Sequence, residues 1–184
     1  NFNFSFGSVM TPTDPVGHFL NIFTGNSTAI FIICAGMGLS LMTNRKDYSL
    51  EEKSALKSKV LKRSWFLFAM GLLLFNWWSG DILHFYGGYM HVAAFMLFVP
   101  KRYYLIGALT AVIVFHLLLN FIPIQTGWDF TTYQYHDFWT PLGFLRNSLY
   151  NGWNSLFPWI SYFLLGMWLG RLDWHEKKTK QQNI

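Results

Sequence analysis

Asp81, His84, Gly88 and His91 recur at spacings of three, four and three residues, which on a helix confines them to a sector of about 80°. Such a stripe suits proton chemistry, in which a neutral imidazole acts as a base. His116 and Asn120 are four residues apart and share a face of another segment. His18 stands apart, followed by Asn21, Thr24, Gly25 and Asn26. Spacing leaves two readings open: each histidine could line a polar cavity as a catalyst, or simply hydrogen-bond a neighbouring helix. A shared metal ion is the weaker idea. His84 and His91 are roughly 10 Å apart along a helix axis, against about 2 Å for each ligand bond. The lone Cys34 offers neither an intramolecular disulfide nor a cysteine metal set. No Walker loop, Gly-rich dinucleotide fingerprint, Gly-x-Ser-x-Gly elbow or His-Glu-x-x-His pattern is present, so local motifs name no reaction.

The elements that must position these residues are expected to be membrane helices. Of 184 residues, 52% are hydrophobic, 20% aromatic and 12% charged, where an ordinary soluble domain has roughly 25% charged. The charges are bunched, leaving charge-free runs at Pro15–Asn44, Ser64–Gly80, Ile82–Pro100, Tyr103–Trp128 and Asn147–Gly170. A bilayer core needs about 20 residues of helix. The net charge of +5 does not point to nucleic acid, because the cations flank apolar runs and form no solvated basic face. Thirteen of the 14 basic residues fall in three places: Arg45 to Arg63, Lys101–Arg102, and the tail from Arg171. Five spans put these places on one side, and the positive-inside rule makes that side cytoplasmic. The N-terminus is then outside, the C-terminus cytoplasmic, and Arg146 alone is left outside. An exported start without a signal-peptide pattern raises the expectation of one more helix upstream of Asn1.

The fold class expected is all-α, a polytopic bundle forming one membrane domain over residues 1–184. The first span runs from Phe19 to Thr43, with Gly36 and Gly38 permitting close helix contact. A basic cytoplasmic loop covers residues 44–63, and within it Ser49 and Glu52 read as a capping box. The second span is Trp65 to Trp78. Asp81 caps the third, Ile82 to Val99, and the fourth runs from Tyr103 to Pro123. Residues 124–155 form an aromatic-rich outer segment, in which Thr140–Pro141 reads as a cap and first helical residue. There Leu142, Leu145 and Leu149 mark a short amphipathic helix. The fifth span, Leu156 to Gly170, precedes the basic cytoplasmic tail, 171–184. Counted from the outer ends, His91 is about 15 Å deep and His116 about 10 Å.

The stretch Gly80-Asp81-Ile82-Leu83-His84-Phe85-Tyr86-Gly87 and the run from Phe157-Pro158-Trp159 to Leu169-Gly170-Arg171 resemble bacterial members of the heparan-alpha-glucosaminide N-acetyltransferase-like family, within the transmembrane acyltransferases. The stretch His18 to Gly38 is similar to that family's second helix. The Leu-Asp-x-x-Arg-Gly type signature of its first helix is lacking here, in keeping with a helix lost upstream. The resemblance implies acetyl transfer, with His18 in the place of the family's acyl-transfer histidine. The buried stripe is the alternative that physical reasoning favours.

The function expected is transfer of an acyl group, most simply acetyl, from cytoplasmic acetyl-CoA or another acyl-CoA to a glycan or lipid-linked acceptor at the outer face of a bacterial cytoplasmic (inner) membrane. His18, His84, His91 and Asp81 are the candidate catalytic residues. Asn21, His116, Asn120, Arg146, Trp128 and Trp139 would contact the acceptor, with aromatic faces covering sugar rings and Arg146 pairing with an acidic group. Arg45, Lys46, Lys101, Arg102 and Arg171 would hold the coenzyme's phosphates. No metal and no nucleic acid are expected. The rival readings are a transporter or channel-like protein whose polar stripe lines a permeation route, and a non-catalytic membrane subunit.

Overall fold

A computed structural model describes residues 27–44, 47–78 and 80–172. His18, Asn21, Arg45, Lys46 and the tail beyond residue 172 lie outside the described residues. The described chain is mostly helical, as the all-α reading expects. Its helices are α1 (Ser27–Met42), α2 (Leu50–Phe75), α3 (Leu83–Met96), α4 (Arg102–Phe121), α5 (Pro141–Arg146) and α6 (Leu156–Leu169). A π-helix, Asn147–Asn151, follows α5 directly, and two short strands, β1 (Trp128–Asp129) and β2 (Gln134–Tyr135), pair antiparallel.

Local chemistry starts α2 where the sequence places it. The Ser49 hydroxyl accepts from the Glu52 amide at 3.1 Å, and the Glu52 carboxylate accepts from the Ser49 amide at 2.9 Å. The basic stretch that follows is not a loop. It is helical and continues unbroken into the apolar half, giving 26 residues in all, about 39 Å of helix. Leu, Glu, Lys, Ala and Arg are strong helix formers, and no Gly or Pro occurs between Leu50 and Met70. Nothing therefore breaks the helix where its polarity changes.

α1 and α4 pack on α6, α2 packs on α3, and α3 touches α6. Ile32, Val60, Tyr89, Leu97, Tyr104, Phe163 and Met167 are fully buried at the centre of this bundle. Two glycines set the α1–α6 approach. A methyl group at Gly36 would strike the Phe163 carbonyl, and one at Gly166 would strike the Ile33 carbonyl. Gly38, expected to serve the same purpose, faces open space.

The bundle has two chemically distinct ends. At one, Arg171 donates to the Leu97 carbonyl (2.6 Å), the Thr43 hydroxyl (3.0 Å) and the Asn44 side-chain carbonyl (3.2 Å). This gathers the final turns of α1, α3 and α6. Lys57 lies over the Phe95 ring at 4.1 Å, which brings the basic half of α2 to the same end. At the other end the aromatic segment packs over Phe75. Among the described residues, α4 is the one helix long and apolar enough to cross a membrane, while α1 and α6 are shorter apolar helices. Only Tyr104 and Ala111 of α4 are buried, and Leu105, Ile106, Leu109, Ile113 and Leu117 are exposed.

Candidate functional site

The most distinctive chemical group of the described chain is at the start of α3. One carboxylate oxygen of Asp81 accepts from the His84 backbone amide at 3.1 Å and from His84 Nδ1 at 3.0 Å. Asp81 thus caps the helix and orients the imidazole at once. Because Nδ1–H donates to the carboxylate, the free lone pair is on Nε2. Nε2 is buried and has no hydrogen-bond partner among the described residues. The ring is enclosed by Phe85, Phe75 and Phe138, with centroids at 3.8, 5.7 and 5.9 Å. Gly71 of α2 makes the arrangement possible, since a methyl group there would strike the His84 amide.

One helical segment further in, the Ser64 hydroxyl donates to the Gly87 carbonyl at 2.8 Å and meets His91 Nδ1. With that proton pointed at the carbonyl, the hydroxyl oxygen accepts from Nδ1–H, so His91 also holds its lone pair on Nε2. That atom too is buried and without a partner among the described residues. The Trp65 ring stands edge-on to His91 at 4.6 Å, and Phe68 contacts both imidazoles at 6.5 Å. The stripe is therefore packed against α2. At the His84 end the Phe75–Phe138 stack, 3.6 Å between centroids, covers the stripe among the described residues.

Residues 124–151 form that cover. Arg146 donates to both Asp137 carboxylate oxygens at 2.7 and 2.6 Å, and to the Tyr135 hydroxyl at 2.7 Å. Tyr135 in turn donates to the Asn151 side-chain carbonyl at 2.9 Å. The Asn151 amide reaches the Ile124 and Thr126 carbonyls at 3.1 and 2.7 Å, and Trp128 Nε1 donates to the Asn151 carbonyl at 2.7 Å. Burial pushes the Tyr135 phenol up against the opposing pull of Arg146. Burial also works against the Arg146 charge, but the hydrogen bonds to Asp137 and Tyr135 outweigh it and raise its pKa. Arg146, expected to pair with an acidic acceptor, has Asp137 of the same chain as an acidic partner. Trp128 is likewise bound into this network. Trp139 remains 62% exposed, edge-on to Phe138.

His116 and Asn120 do not join the stripe. Both are exposed on α4 and hydrogen-bond within that helix, His116 Nδ1 to the Val112 carbonyl at 2.8 Å and the Asn120 amide to the His116 carbonyl at 2.9 Å. Lys101 and Arg102 are exposed at the turn before α4. Arg171 is drawn into the helix-end clamp described above. A concavity on α2 is lined by Ala55, Ser58, Lys59, Lys62 and Arg63, a cation set that spacing i, i+3, i+4 could have revealed had this stretch been read as helix. Ser64, Asp137 and Asn151 also escaped the sequence reading. Ser64 lies four residues after Val60 on the buried face of α2, which was the one available signal. Among the described residues no three His, Cys, Asp or Glu side chains group as a metal set.

A family model for the catalytic domain of heparan-alpha-glucosaminide N-acetyltransferase matches residues 4–184. No curated protein and no solved structure matches the chain.

Proposed function

The chain belongs to the heparan-alpha-glucosaminide N-acetyltransferase catalytic family, and from that premise we propose a membrane-bound acyltransferase that moves an acyl group, most simply acetyl, from acyl-CoA at the basic end of the bundle to a glycan or lipid-linked acceptor at the aromatic end. The observation that carries the reading is the Asp81–His84 pair, a buried imidazole held in one tautomer with its basic nitrogen unengaged. In the proposed step His84 Nε2 takes the proton from the acceptor's hydroxyl or amine as that atom attacks the thioester carbonyl, and the imidazolium returns that proton to the sulfur as the C–S bond breaks, so that coenzyme A leaves as the thiol and His84 is restored. Asp81 steadies the imidazolium that forms. Lys59, Lys62 and Arg63, with Lys101, Arg102, Arg45 and Lys46, supply positive charge for the coenzyme's phosphates. Trp139 offers an exposed ring face to a sugar. Five spans with the basic end in the cytoplasm of a bacterial inner membrane complete the proposal, supported by the apolar exterior of α4.

The rival base is His18, which the family resemblance favours. Acyl transfer and acyl-CoA binding by the detergent-solubilised protein decide between them. His84→Gln is expected to cut transfer by about 10²–10⁴-fold with acyl-CoA affinity unchanged, and His18→Ala to act on transfer less severely. Wild-type transfer by His84→Gln would remove His84 from the mechanism.

A further inference from the structure

Among the described residues α4 is buried along one face, at Tyr104 and Ala111, and packs there on α6. On the opposite side Ile106, Leu109, Ile113, His116 and Asn120 are all exposed, at successive spacings of three, four, three and four residues. They form a heptad seam within a sector of about 80°, running about 21 Å along the helix. In a helix apolar on every side such spacing alone would carry little, and the occupants give it content. Ile106 and Ile113 share one heptad position with Asn120, and Leu109 takes the other, which is the pattern of a two-stranded parallel coil whose single Asn fixes register. His116 and Asn120 are, moreover, polar groups on the outside of the one described helix long and apolar enough to cross a membrane, where polar side chains hydrogen-bond to other helices. Asn120 Nδ2 gives one N–H to the His116 carbonyl at 2.9 Å. Its second N–H and Oδ1 are left over, a donor and an acceptor on one side chain.

We infer that this seam is an interface with a second copy of the chain, the two α4 helices lying parallel about a twofold axis along the membrane normal. Two chains inserted with the same orientation present α4 in that parallel sense. The twofold sets each Asn120 opposite its counterpart, where each amide donates its second N–H to the other's Oδ1 and both are satisfied. Such self-complementarity is what a twofold interface requires, whereas a different helix would have to bring its own donor and acceptor to the same depth. Neither Asp81 nor His84 is part of the seam, so the pairing stands or falls independently of the acyltransferase reading.

Single cysteines in a Cys34→Ser background, oxidised in native membranes, test the seam. Ile106→Cys and Ile113→Cys should give disulfide-linked dimers, and Val114→Cys, one position off the seam, should not. The amide pair is tested with Asn120→Leu in the intact protein, by energy transfer between C-terminally labelled chains in phosphatidylcholine vesicles at falling protein-to-lipid ratio. The dimer dissociation constant should rise about fivefold or more, with the melting temperature of the dissociated chain unaltered. Cross-linking as strong at Val114 as at Ile113, or none at either seam position, would overturn the inference and leave the face to lipid or to another helix. A parent chain monomeric at every ratio would overturn it too, as would Asn120→Leu dimerising like the parent. The cross-links are made with Asn120 in place, so they decide the seam even if Asn120→Leu fails to fold.

Discussion

Asp81 does two things with one oxygen, and the two can be pulled apart by substitution. Asn caps helices about as well as Asp, so Asp81→Asn should keep the His84 backbone bond and change stability by less than about 1 kcal/mol. It should still lower acyl transfer at least tenfold, because the amide oxygen can keep the bond from Nδ1–H but carries no charge to steady the imidazolium. Thermal melting beside a transfer assay checks this, and unaltered transfer would reduce Asp81 to a cap. The three-residue spacing made this pair legible in the sequence. The Arg146–Asp137 pair was not, since nine residues separate the partners and one of them precedes α5. The surroundings of His116 were illegible for a different reason. A helix apolar on every side carries no periodic signal of which face is covered, so the four-residue spacing to Asn120 could not tell a cavity from the exposed side of α4.

At the level of the element, the boundaries written in local chemistry were the ones that could be read. Ser49 with Glu52 starts α2, and Thr140 accepts from the Gly143 amide at 3.0 Å to start α5 at Pro141. Features set by tertiary contact were not legible, among them the choice between two nearby glycines. Gly166→Ala puts a methyl group against the Ile33 carbonyl and should cost about 1–3 kcal/mol through overpacking. Gly38→Ala meets nothing and should stabilise the chain by about 0.5–1 kcal/mol through helix propensity. Chemical or thermal unfolding of the two variants should move in opposite directions. Movement in the same direction would mean that α1 does not pack on α6 through Gly36 and Gly166.

For the whole molecule, the division into a basic and an aromatic end was visible in the distribution of cations, and the Arg171 clamp and the Lys57–Phe95 contact bring three of the predicted cytoplasmic sites to one end. Single cysteines at positions 53, 178 and 133, in a Cys34→Ser background, test which end faces the cytoplasm. An impermeant thiol reagent applied to intact cells should label position 133 alone, and labelling at 53 or 178 would reverse the orientation. The stacked Phe75 and Phe138 rings over His84 carry a further consequence for such an enzyme. A thioester is hydrolysed as readily as it is transferred once an activated water reaches it, and a base cut off from solvent activates none. Donor and acceptor consumption would then be locked one to one: without an acceptor to part the rings, the cell's acyl-CoA is not squandered as free acid.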